Sequence, residues 1–513
     1  MKRRDSSAPL KLSAAVATTS MLLCSPSHAQ VLEEVLVIAQ KRVETAQEVP
    51  LTVTVIDGEA LNQFSINNAT DLARSVPGLV LAPAPPGLSL PTIRGLGTGT
   101  GTENVDQSVG LFLDGVWSGR PRDLQSALFD VGRVEVIKGT QTSQLGKNTS
   151  LGAILVMSAR PENESGGYVS AEYDFELGST ILAGAVNLAT DFGNYRLAVN
   201  LVDEEGYVDN QWAGGDDPAR EQNSLRLSGH WDIGDRAVLY ASYTYDDREV
   251  TGMQFEISDD SQGWYQGLTG DADVRLNNKR KTWSTYAGDG KDLDEQESHR
   301  AVVEFTYDIS DDMEFVSLTG YSQYDNDPRF YDSDFSALEF LEQYKESSVE
   351  QFSQEFRISS TAFADRLDYV AGLYYVDNTL DSYSETITLS SPAYLELPIE
   401  TGLPYSLYAA TGPTDGYSEY EQDVESWSVY GNGVIQLADR WRLTLGIRYT
   451  DESRELNNWL AEYVDDESYF FLGIDPENDV FLGPIFQPGV PETFFQFVSA
   501  PHPATDLDRD EDN

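Results

Sequence analysis

Cysteine is nearly missing from this 513-residue chain, which holds one, Cys24, beside four histidines, His28, His230, His299 and His502. One cysteine allows no disulfide framework, and His230, His299 and His502 are too far apart for a metal-ligand spacing. Positive charge is scarce as well: 34 Lys and Arg against 85 Asp and Glu leave a net charge of −51. So acidic a chain repels nucleic-acid phosphate, which argues against polyanion binding. The apolar segment 10–23 is too short and too interrupted to span a bilayer as a helix. Mean hydropathy is −0.37, but alternating strands dilute an apolar signal, so a membrane protein built from strands is not excluded.

Catalytic and cofactor constellations are absent too. No serine triad can be assembled, and the chain does not read as an enzyme. Asp289, Asp292, Asp294, Glu295 and Glu297 crowd together without the glycine turn or ligand spacing of a calcium loop, and read as a solvated surface loop. Residues 139–147 superficially suggest a phosphate-cradling loop. Six residues separate Gly139 from Gly146 and Asn148 follows Lys147, so both the backbone cradle and the metal-binding hydroxyl are misplaced.

What is present begins with an export leader. Lys2, Arg3 and Arg4 precede the apolar segment, and Ser27, His28 and Ala29 form a small-x-small cleavage site, which predicts a signal peptide over residues 1–29 and a mature chain without cysteine. A strand follows at residues 50–56, with Asp57 as N-cap of a helix from Gly58 to about Phe64; a second helix begins near Asn68 and stops at Pro77 and Gly78. Residues 82–91 and 95–104, rich in Pro and Gly, predict loops.

Residues 94–161 are the most informative stretch. Val109 to Trp117 is an apolar run broken by Asp114 and Gly115, a strong hairpin signal. Arg133 to Lys138 gives another strand ending at Gly139, and 152–157 a third after the polar Gly146, Lys147, Asn148, Thr149 and Ser150. Arg94 with Gly95, Asp114 with Gly115, Phe129 with Asp130, the run Arg133, Glu135, Lys138 and Gly139, and Gly146, Lys147 and Asn148 with Gly152 resemble, in order and spacing, the plug domain of TonB-dependent outer-membrane receptors. Thr140 stands where the family usually has Pro, and Leu155 and Val156 where it commonly has Asn and Ile. The resemblance implies that plug loops reach toward substrate, which makes Pro85, Pro86, Gly87, Leu88, Gly99, Thr100 and Gly101 candidate ligand contacts; the same residues also read as plain connectors.

Ahead of the plug, Glu34, Val35, Leu36, Val37, Ile38 and Ala39 form an extended β-branched run bracketed by charge, and resemble the family's TonB box. Such a run suits strand addition to a partner's sheet edge, where main-chain hydrogen bonds supply the affinity. The competing reading is a first strand of the plug. Family members that signal to the cell interior carry an additional small domain before the box, and only a few residues intervene here.

Beyond Pro161 the rhythm changes to period two. Leu225, Leu227, Trp231 and Ile233 alternate with Arg226, Ser228, His230 and Asp232, and Leu443, Leu445, Ile447 and Tyr449 with Arg442, Thr444, Gly446 and Arg448. One face suits lipid and the other water. Short turns alternate with long polar loops, as in outer-membrane barrels. Eleven strands are counted, starting near Tyr168, Ile181, Tyr195, Gln222, Arg236, His299, Asp312, Val349, Arg366, Val424 and Arg440.

The resemblance implies twenty-two strands, so about half a barrel is expected, open and truncated. The predicted organisation is a leader (1–29), TonB box and linker (30–48), an α+β plug (49–161), a partial antiparallel transmembrane β-barrel (166–451) and an acidic loop or truncated tail (452–513). The implied function is energised uptake across the bacterial outer membrane of a scarce small-molecule ligand, a ferric siderophore above all, with TonB of the inner-membrane complex and outer-membrane lipid as partners. Cobalamin, glycans or an aromatic nutrient remain open as cargo, as does a non-energised or truncated binding protein. No cofactor, metal or nucleic acid is expected.

Overall fold

The computed structural model describes residues 36–37, 41, 44–45, 49–84, 88–98, 105–120, 122–210, 215–252, 281–282, 293–332, 341–363, 366–388, 414–438, 440–465, 469–470, 473–475 and 480–482. Two short strands, β1 (Leu36–Val37) and β2 (Glu44–Thr45), pair with each other and stand apart from the plug sheet. Among the described residues, β1 has no partner in the plug sheet.

The plug is a five-stranded sheet in the order β3-β9-β10-β7-β8, made by β3 (Thr52–Asp57), β7 (Val109–Leu113), β8 (Val116–Ser118), β9 (Val131–Lys138) and β10 (Gly152–Ser158). Helices α1 (Gly58–Gln63) and α2 (Ala69–Ser75) cover one face; Asp57 accepts from the Ala60 N–H and Asn68 from the Asp71 N–H, the capping bonds that short polar residues supply at a helix start. A third helix, α3 (Asp123–Ser126), was not anticipated. Leu61, Leu72, Val134, Val136, Ile154 and Val156 close the helix-side core. The opposite face, with Phe112, Trp117, Ile137, Ala153 and Leu155, packs toward Val376 of the wall.

Residues 82–91 correct the loop expectation. β4 (Leu79–Ala84), β5 (Leu88–Ile93) and β6 (Leu96–Gly97) form a small antiparallel sheet, with Pro83 opposite Ser89 and Pro91 opposite Leu81. Proline lacks a donor for a ladder, but β6 reaches only Thr92 and Ile93, so Pro91 sits where β5 has an open edge. Leu88 is thus strand; Pro85, Pro86, Gly87, Gly99, Thr100 and Gly101 lie outside the described residues.

The wall is one large antiparallel sheet of eleven long strands, not closed among the described residues. They are β11 (Gly166–Tyr173), β12 (Thr180–Thr190), β13 (Gly193–Glu204), β16 (Ala219–Ile233), β17 (Ala237–Thr251), β19 (Leu293–Ser310), β20 (Met313–Asp332), β21 (Leu341–Ala362), β22 (Leu367–Thr388), β23 (Thr414–Ala438) and β24 (Trp441–Asp465). The two-residue β25 (Tyr469–Phe470) adds to its end, while β14 (Val208–Asn210), β15 (Asp216–Asp217) and β18 (Lys281–Thr282) make a separate small sheet. The later strands are longer than the ten or so residues a crossing needs. β23 and β24 have 25 residues each, so β24 continues well past the expected end near Thr450 and absorbs the start of the predicted tail.

Burial follows the alternation in the inner strands of the sheet, while β11 at one end is exposed along its whole length. Arg226 is 2% exposed on the lumen side while its neighbour Leu227 is 49% exposed on the lipid side. Tyr243, Tyr321, Phe352, Trp427 and Tyr449 are likewise exposed on the outward face. Leu227 lies between Leu197 and Tyr243 in register. Leu227→Arg is expected to cost about 2–4 kcal/mol of folding free energy in the bilayer, measured by urea titration of the chain in lipid vesicles; Arg at Asp232, near the inner turn, should change little.

Candidate functional site

The plug meets the wall through charged side chains that the lumen face of each strand supplies. On the side of the first strands, the Asp130 carboxylate accepts from Arg196 Nε (2.8 Å) and Nη2 (2.5 Å). Arg226 Nη1 donates to the carbonyls of Phe129 and Asp130, and its guanidinium lies 4.3 Å from the Phe129 ring centre. Arg160, near the plug's C-terminal end, pairs with Glu304 at 3.3 Å and covers the Tyr240 ring at 3.6 Å. Asn187 then pins the link to β11 by donating to the carbonyls of Glu162 and Glu164.

Toward the long loops, Arg122 just before α3 donates to Asp294 at 2.8 Å, and Arg248 approaches the same carboxylate at 3.4 Å and Gln296 at 3.1 Å. Asn326 also donates to Asp294, at 3.0 Å. Asp294 is 0% exposed. The expectation of a solvated acidic loop is thereby overturned at this residue: the strand's period turns Asp294 inward while Glu297 stays exposed. Asp289 and Asp292 lie outside the described residues.

The opposite side carries the glycine–lysine–asparagine signature. Gly146 lies against Arg448, so close that a Cβ would stand 2.5–2.8 Å from the guanidinium. Lys147 pairs with Glu452 at 2.9 Å and sits 5.4 Å from the Trp117 ring centre; Asn148 donates to Asp106, which also binds Arg454. Lower in the lumen, Lys41 Nζ donates to both oxygens of Glu355 at 2.7 Å. Burial lowers the Lys41 ammonium to about 8 even though Glu355 works the other way.

Other signature residues serve the plug's own fold. Asp114, in the Asp114–Gly115 turn, accepts from both the N–H and the hydroxyl of Ser158 at 2.7 Å. Glu135 is buried beside Arg133, whose Nε lies 3.2 Å away. Lys138 donates to Thr54, and burial, then the charge of Arg94, lowers its ammonium. Arg94 and Gly95 form the β5–β6 turn, where the Arg94 N–H reaches the Gly78 carbonyl. Gly139 follows β9, and Gly152 opens β10. Of the residues of the expected TonB box, Leu36 and Val37 form β1, while Glu34, Val35, Ile38 and Ala39 lie outside the described residues. Lys41, Arg122, Arg160, Arg196, Arg226, Asp294 and Glu355 were missed as contacts between plug and wall; for Arg196, Arg226, Asp294 and Glu355 the signal was a charge on the strand face opposite the apolar one, while Lys41, Arg122 and Arg160 lie off the strands and carried none.

Two family models match. Residues 45–153 match the TonB-dependent receptor plug domain, and residues 239–473 the TonB-dependent receptor-like β-barrel. The chain belongs to the TonB-dependent receptor family. That is a family of outer-membrane transport receptors, not of enzymes. The receptor is 25% identical over 281 residues to the catecholate siderophore receptor Fiu of Escherichia coli K12, spanning 54% of this chain and 35% of that one. It is 24% identical over 454 residues to the probable TonB-dependent siderophore receptor PiuA of Acinetobacter baumannii, spanning 81% and 56%. The chain therefore spans between a third and just over half the length of these relatives. In fold it resembles the ferric yersiniabactin uptake receptor FyuA of Yersinia pestis, with a TM-score of 0.62 at 18% identity over 80% of this chain and 61% of that one.

Proposed function

We propose that this receptor takes up a ferric siderophore across the outer membrane, and that TonB drives the uptake by pairing with residues 34–39 and pulling on the plug. The observation that carries the reading is β1, which lies ahead of the plug sheet and, among the described residues, pairs only with the two-residue β2. The edge of β1 suits strand addition.

The names of Fiu and PiuA support a siderophore as cargo.

The test is deletion of residues 34–39, with binding and accumulation of iron-55 held by a catecholate chelator measured in the same cells. Binding should persist while accumulation falls to the level of cells lacking the receptor. Accumulation that survives the deletion overturns the TonB-driven reading, and absence of binding in the undeleted chain overturns the ligand class.

A further inference from the structure

We infer that the plug holds a resident monatomic anion, a halide such as chloride, on the Arg120 guanidinium, in a small cavity lined by the β7–β8 hairpin. Arg120 stands just beyond β8 and is 6% exposed. Among the described residues its side chain makes no hydrogen bond and no ion pair: Nη1 is buried without a partner, and the guanidinium lies 4.2 Å from the ring centre of Tyr324 on β20. The nearby carboxylates are engaged elsewhere. Asp123 accepts from the Ser118 hydroxyl, and the buried Asp294 takes Arg122 and Arg248. A buried cation is ordinarily paired, because taking a guanidinium out of water costs more than the face of one aromatic ring returns.

The cavity supplies what the cation lacks. Gln107, Trp117, Ser118 and Asn148 line it together with Arg120, and its room is about 10 Å³, that of a single water-sized particle. No carboxylate lines it, in a chain with 85 Asp and Glu. The indole of Trp117 is a donor without acceptor capacity, and the amides of Gln107 and Asn148 have two donor hydrogens each. Asn148 gives one to Asp106 at 3.3 Å and Gln107 one to the Val105 carbonyl at 3.4 Å, which leaves a second on each. A cationic, donor-rich and acid-free site selects an anion. Water would accept from Nη1 yet leave the charge uncompensated. The small volume excludes sulfate, phosphate and any iron chelate, so the occupant is not cargo.

Position gives the anion its effect. β8 is the edge strand of the plug sheet, and Gln351 of β21 donates to the Trp117 carbonyl at 2.8 Å while Arg120 lies against Tyr324 of β20. An anion on Arg120 therefore steadies the place where that edge meets the wall.

Neither cargo nor TonB enters the measurement. The full chain in detergent is melted in sodium gluconate with chloride added at constant ionic strength. In the parent, melting should rise with the logarithm of chloride once the site begins to fill; bromide should substitute, and sulfate should not. Sulfate stabilises most proteins by exclusion from their surfaces, so the quantity read is the difference between the parent and Arg120→Met, which keeps the stem and deletes the charge. Arg120→Met should melt independently of chloride and, in gluconate, no lower than the parent, since the stranded cation is gone. Arg120→Lys, which keeps the charge, should retain a weaker chloride response. Bromide-soaked crystals of the parent should show an anomalous peak beside Arg120 Nη1. Chloride-independent melting of the parent, as a water in the cavity would give, overturns the anion. So does a chloride response that persists in Arg120→Met, a loss of stability in that variant that is equal in both salts, or the absence of a bromide peak.

Discussion

Replacing Asp294 by alanine is expected to weaken the hold of the plug on the wall by about 3–5 kcal/mol, the usual cost of removing one partner from a buried ion pair. The carboxylate is fully buried and receives Arg122 from the plug, Arg248 from β17 and Asn326 from β20. Its loss leaves two guanidinium groups close together with no anion between them. Calorimetry of the receptor in detergent should show the plug's melting separate from that of the sheet and move to lower temperature. Asp294→Asn, which keeps the size and one acceptor but loses the charge, should fall between the two. Arg248→Met added to Asp294→Ala should recover part of the loss, because one stranded cation is then gone. If Asp294→Ala melts with the parent, the lumen there is wet enough to solvate both arginines, and the ion pairs are not what seats the plug.

Gly152→Ala is the second large effect, and it acts inside the plug instead of at its border. Gly152 has a φ of +154°, and a Cβ would strike the Ile137 carbonyl oxygen and approach the Ile93 Cδ1 to 2.6 Å. The carbonyl is backbone in the β9–β10 ladder, where Gly152 sits opposite Lys138, so it has no rotamer through which to retreat. Overpacking with an added backbone strain suggests a loss of ~3 kcal/mol or more. The check is the urea midpoint of plug unfolding, followed by maleimide reactivity of a cysteine at Val53. By contrast, Gly146→Ala meets only the end of the flexible Arg448 side chain, so it should cost less even though Gly146 too has a positive φ. Equal midpoints for Gly152→Ala and Gly146→Ala would contradict the geometric argument.

What the sequence made legible was whatever depends on neighbours along the chain. The period-two strands, the Asp114–Gly115 turn and the caps at Asp57 and Asn68 are local in this sense, because a few adjacent residues decide each one. The hairpin at residues 79–93 was misread because proline signals a break, yet what matters is whether a partner needs its N–H. At Pro91 no third strand does. The ion pairs were illegible for another reason. Arg122 and Asp294 are 172 positions apart, and Lys41 and Glu355 are 314 apart. Nothing in either neighbourhood specifies the other. An acidic run such as 292–297 therefore looks like a hydrated loop, until the pleat turns one carboxylate toward a lumen that already holds arginines.

The length of β23 and β24 has a thermodynamic consequence for capture. Twenty-five residues at ~3.3 Å give roughly 80 Å of strand, and a tilted crossing of a ~30 Å hydrocarbon layer uses about half of it. The surplus stands clear of the lipid as a stiff parapet, with its backbone already ordered by cross-strand bonds. Under the uptake proposed above, a solute arriving from outside would meet a pre-shaped rim, and the entropy that a loose chain would forfeit on closing around it has been settled at folding.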